Sequence, residues 1–148
     1  MIGQTAIDEH LRNSKVLFDS VAWLEAHNEQ LKKDILNLIR IKQLKDKGVD
    51  ENDQVIGYYS AVTDMITRGR KAEGDHYTLD DTGEFFRSMY VVVLTDSIVI
   101  EANYSKMQDQ EWWSTDILGL TEQNKNWYAQ MVKENFIKYA RKILQLNR

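Results

Sequence analysis

The apolar positions change their spacing along the chain, and the elements follow from that change. From about 5 to 27, Ile7, Leu11, Phe18 and Ala22 share one stripe, with Val21 beside it. That spacing predicts a helix, with Thr5 placed to cap it. A second helical stripe starts near Asn28 and carries Leu31, Ile35, Leu38, Ile39 and Ile41 as far as Lys47. Gly48 then suits the left-handed position that ends a helix. Segment 55–63 is β-branched and aromatic, and reads as a strand or a short buried helix; periodicity alone does not separate the two. Residues 89–94 and 98–102 are extended runs around a polar turn, the pattern of a hairpin with Ile98, Ile100 and Ala102 inward and Glu101 outward. Gly119, Leu120 and Thr121 give a break, a staple and an N-cap. Tyr128, Val132, Phe136, Tyr139, Ile143 and Leu146 then recur every three or four residues, with Trp127 and Met131 widening the stripe.

Helices, a β-rich middle and a closing helix predict an α+β fold. The expected form is N-terminal helices, a small antiparallel sheet with a central hairpin, and a long C-terminal helix. All of 1–148 is expected to form one domain. The chain has no proline, so glycine carries the punctuation. Segment 68–75 holds two glycines with Arg68, Arg70 and Lys71 and reads as an exposed, mobile loop without acidic partners at helical spacing.

Composition narrows the function. Hydrophobic residues at 43% and charged residues at 28% are those of a globular chain. No signal peptide and no membrane-length apolar run are visible, so no membrane association is expected. The absence of cysteine removes disulfides, thiolate metal sites and thiol nucleophiles together. Charge is segregated: residues 51–123 carry a net −9 and residues 124–148 a net +5. The basic last helix offsets the acidic middle within one chain or between copies. Nucleic acid is the less favoured partner for it.

Little in the chain reads as catalytic. His10, His27 and His76 have no zinc spacing. His76 near Asp75, Asp80 and Asp81 admits a cation or acid–base pair, but the spacing matches no ligand loop and reads as a polar turn. Phosphate-binding and nucleophile-elbow motifs do not occur. No cofactor, no metal and no catalytic residue are expected. The adjacent Trp112 and Trp113 point in different directions, so one can bury while the other meets a partner.

The most distinctive stretch is 80–89, D-D-T-G-E-F-F-R-S-M. Asp81 or Thr82 can cap a short helix, Gly83 permits a tight start, Phe85 and Phe86 supply apolar bulk, and Ser88 can bond back one turn as the strand begins. Asp81, Thr82, Gly83, Phe86 and Ser88 resemble the turn element of phage head–tail connector, or tail-completion, proteins, which precedes the strands of a small α+β domain. The chain is also similar to proteins of phages and prophages of gut Bacteroidetes. It shares with them G-Y-Y-S-x-x-T at 57–63, H-Y-T-L-x-D-T-G at 76–83 and I-L-G-L-T at 117–121. It departs from the tail-completion pattern in lacking a late glycine–threonine segment and in ending on a long helix. The resemblance implies a virion structural protein, assembled in the host cytoplasm as a ring at the neck. Its partners are then further copies and neighbouring portal, connector or tail proteins. The expected contact joins the basic face (Lys138, Arg141) and the 68–71 loop (Arg68, Arg70, Lys71) to the acidic middle of the next copy, with Trp112 or Trp113 as anchor.

Overall fold

A computed structural model describes Trp23, residues 26–94 and residues 97–144. The first expected helix lies almost wholly outside these residues, as does Leu146. The fold is α+β, with four α-helices and a two-stranded antiparallel sheet among the described residues. Helix α1 (26–37) runs directly into a π-helical stretch, Leu38–Lys45. Helices α2 (Ala61–Thr67) and α3 (Glu84–Ser88) are short. Strands β1 (Tyr90–Val93) and β2 (Ile98–Glu101) form the hairpin, and a 3-10 turn (Thr115–Leu118) leads to α4 (Glu122–Leu144).

The chain divides into two compact units. One is Lys32–Asn126; the other joins Met1–Leu31 to Trp127–Arg148. In the latter, Trp23 is buried, stacks on His27 at 4.7 Å and meets the edge of Phe136 at 5.6 Å. Tyr128 Oη donates to the Leu31 carbonyl at 3.3 Å. Tyr128, Val132, Phe136 and Tyr139 are half-buried along α4, as their spacing predicts, while Trp127 is exposed.

The core of the larger unit begins at the π-helix. Asp46 N–H reaches the Ile41 carbonyl at 2.8 Å, a five-residue step. The wider winding turns Leu38, Ile39, Gln43 and Leu44 inward and leaves Ile41 exposed. Ile41 is therefore not a core position, because a straight α-helical stripe does not survive the change of winding. Gly48 ends the element at φ +65°, and an added Cβ there would collide with the His76 ring.

In the hairpin, Val91 pairs with Ile100 and both are buried, together with Met89. Val93 pairs with Ile98, and both are exposed. The inward face thus ends one pair earlier than the alternation predicts, and the turn residues 95–96 of the expected hairpin lie outside the described residues. Thr121 caps α4: its Oγ1 accepts the Asn124 N–H at 3.2 Å.

Candidate functional site

Segment 55–63 is neither a strand nor a buried helix: its first half makes only isolated bridges, and its second half opens the exposed α2. Residues 55–59 are extended, with isolated bridges Val49 to Val55 and Tyr58 to His76. The chain then turns into α2, whose cap is Ser60: its Oγ accepts the Thr63 N–H at 3.2 Å. Tyr77 N–H donates to the Gly57 carbonyl at 2.8 Å, Tyr59 N–H to Asp75 at 2.8 Å and Gly74 N–H to Tyr59 at 3.0 Å. The 57–59 and 74–77 segments therefore lie side by side, with α2 and segment 68–73 as the excursion between them.

This pairing builds one wall of an open cleft of about 740 Å³. Tyr59, Tyr77 and Trp112 form an aromatic row along it, with ring centroids 5.0 and 5.4 Å apart. The row continues from Trp112 to Trp113 at 6.4 Å, then to Tyr104 at 4.9 Å and Phe85 at 5.9 Å. Two rings are fixed by the backbone. Tyr59 Oη accepts the Thr78 N–H at 3.1 Å and lies 3.2 Å from Thr78 Oγ1. Tyr77 packs against Gly57, where an added Cβ would collide with the ring. At the cleft wall Leu79 takes φ +56°, a left-handed conformation that costs a leucine about 1 kcal/mol or more.

The turn motif forms the opposite wall. Its cap differs from the sequence expectation: the N-cap is Gly83, left-handed at φ +76°, with no side-chain cap bond. Thr82 Oγ1 only meets the Glu84 N–H at 3.4 Å, and Asp81 turns to Lys71 Nζ at 3.1 Å. Phe85 and Phe86 are buried. Ser88 does bond back one turn, donating to the Phe85 carbonyl at 2.7 Å. It also accepts the Asn103 N–H at 2.9 Å, which ties the turn to the strand leaving the hairpin. With its hydroxyl engaged by two backbone groups, Ser88 is a clasp.

Each carboxylate of the cleft has its own lysine. Asp81 pairs with Lys71, Glu84 with Lys106, and Asp80 with Lys45 at 2.9 Å. Hydrogen bonding and charge from Lys106 hold the Glu84 carboxyl below its usual range, and the same two effects of Asp80 raise Lys45. Lys71 Nζ also sits 5.6 Å from the centre of the Tyr59 ring. The acidic partner of Lys71 comes from ten residues on, outside the helical spacing at which the sequence offers none. Arg68 and Arg70 are exposed. Segment 68–75 is laced by bonds from Gly69 N–H to Asp64 at 3.0 Å and from Glu73 N–H to Asp64 Oδ2 at 3.0 Å.

His76 is committed to the backbone, with one ring nitrogen 3.0 Å from the Tyr77 carbonyl and the other 2.9 Å from that of Asp46. Among the described residues no three His, Asp or Glu side chains converge as a metal would require. Trp112 and Trp113 are both half-buried, Trp112 at the cleft and Trp113 between Phe85 and Tyr104. Lys138 and Arg141 are exposed on α4.

A surface missed by sequence reasoning lies on α2. None of its residues is buried, and Val62, Met65 and Ile66 are 61%, 75% and 76% exposed. Their spacing was legible, but it reads as a core face. A second apolar patch is the hairpin tip, where Val93, Leu94 and Ile98 are about half exposed. No described helix is long and apolar enough to cross a membrane. No protein family, no curated protein and no solved structure matches the chain.

Proposed function

We propose that the chain is a non-catalytic structural subunit that assembles with copies of itself into a ring, and that its setting is the neck of a long-tailed phage virion. The observation that carries this reading is the outward apolar stripe of α2, Val62, Met65 and Ile66. A seven-residue helix with no buried residue leaves apolar surface in water that a monomer has no reason to keep. Covering such side chains contributes about 1.5–3 kcal/mol each, before the cost of association.

A closed ring joins two unlike surfaces of the same subunit. The second surface in this reading is the hairpin tip, Val93, Leu94 and Ile98. Both strands of the two-stranded sheet also have an outer edge without a neighbouring strand among the described residues, an arrangement that soluble proteins cover. The exposed Lys138 and Arg141 set register between copies and contribute little affinity. The neck setting rests on the turn element at Asp81, Thr82, Gly83, Phe86 and Ser88, with portal, connector or tail proteins as neighbours.

The test is a double substitution, Met65→Lys with Ile66→Lys, in the full chain. Both side chains already face water, so the fold is retained and the oligomer dissociates in size-exclusion chromatography with light scattering. An unchanged oligomer in a folded double variant removes α2 as the contact.

A further inference from the structure

We propose that the cleft between the Tyr59–Tyr77–Trp112 row and the turn motif is a binding site for a neutral saccharide. This goes beyond assembly and does not depend on it.

Volume sets the first limit. About 740 Å³ lies within the range of sites that enclose a small organic ligand. Charge sets the second. The three carboxylates at the cleft, Asp80, Asp81 and Glu84, are each matched by a lysine, Lys45, Lys71 and Lys106. A phosphate or sulfate would have to take a lysine from its carboxylate, and a cation a carboxylate from its lysine. Either exchange leaves one charge unpartnered. A neutral ligand breaks no pair.

The walls set the third. Aromatic rings carry negative faces that attract the slightly positive C–H groups on the flat side of a pyranose. The rim supplies what sugar hydroxyls require: carboxylate oxygens that accept, ammonium groups that donate, and hydroxyls of Thr82 and Ser105 that do both. Tyr59 and Tyr77 are immobilised by Thr78 and Gly57 without any ligand, so binding does not have to order them. A proline-rich peptide also lies on aromatic rows, and the titration below separates it from a sugar. Trp112, half-exposed at the end of the row, is the platform residue.

The experiment titrates the full chain by calorimetry with maltohexaose, cellohexaose, xylohexaose, mannohexaose and N-acetylchitohexaose. A sulfated heparin hexasaccharide and a proline-rich decapeptide serve as rivals. At least one neutral sugar is expected to saturate with a Kd of about 1 mM or tighter. Its affinity should stay within about twofold between low and high salt, because no ion pair forms on binding. Trp112→Ala should weaken binding about tenfold or more and Trp112→Phe, which keeps a ring in the row, by about threefold. Circular dichroism checks that each variant is folded, and Met65→Lys leaves sugar affinity unchanged. The proposal is overturned if no neutral sugar saturates. It is equally overturned by preferential binding of the heparin fragment or the decapeptide, or by undiminished binding in both folded Trp112 variants.

Discussion

The side chain of Gln43 is fully buried, and its Oε1 accepts the backbone N–H of Thr121 at 2.9 Å. The same oxygen receives Asn124 Nδ2 at 3.2 Å, while Gln43 Nε2 donates to the Gly119 carbonyl at 2.7 Å. One glutamine thus satisfies the backbone on both sides of Leu120 and steadies the first turn of α4. Gln43→Leu, close in volume, leaves a buried N–H and a part-buried carbonyl without this partner. The expected loss is about 2–4 kcal/mol, read from urea denaturation. A loss below about 0.5 kcal/mol removes Gln43 as the fastener.

Ser88 fastens the turn motif to the hairpin, and Asp81 does not cap α3. Ser88→Ala therefore costs about 1–1.5 kcal/mol, since it deletes the part-buried bond to Phe85 and the exposed one from Asn103. Asp81→Ala opens only a surface pair with Lys71 and costs about 0–1 kcal/mol. Equal losses, or a larger one at Asp81, contradict this division of roles.

What the sequence made legible follows from local physics. The hairpin, the Ser88 back-bond, the Thr121 cap and the last helix each depend on residues within one turn or one strand pair. Gln43 was not legible, because a glutamine inside a helical stripe reads as solvent-facing until π-helical winding turns it inward. The cleft was half legible. Its turn-motif wall stands out as a distinctive stretch, but its aromatic wall exists only because Gly57 and Tyr77, twenty residues apart, lie side by side. The α2 stripe has core spacing, and only its exposure separates it from a core face.

The Glu84–Lys106 pair gives the cleft rim a defined response to acid. Lys106 holds the Glu84 carboxyl below its unfolded value, first by hydrogen bonding and then by charge. A depressed folded pKa stabilises the pair above the unfolded value, and that contribution is lost as pH falls through the folded one. Lys45 has the opposite sign. Asp80 raises it, so its contribution is complete below the unfolded lysine value and is lost as pH rises through the folded one. Both pairs are therefore closed at neutral pH. Carbon NMR of the Glu84 carboxyl should titrate at lower pH in the natural chain than in Lys106→Gln. Identical titrations mean the pair does not form in solution.

Charge on α4 is expected to tune assembly without driving it. Lys138→Glu with Arg141→Glu should weaken self-association moderately, and more at low salt than at high salt. Sedimentation across a salt series reads this. A complete loss of assembly at all salt concentrations would make charge the main term and displace the apolar stripe from that role.

The most direct measurement is the mass of the natural chain in solution by native mass spectrometry across a wide concentration range. A ring subunit of 17.4 kDa predicts one discrete multiple of that mass above a threshold concentration, without a ladder of open intermediates. A chain that remains at 17.4 kDa at the highest concentrations, folded and with its α2 stripe in water, contradicts the assembly reading.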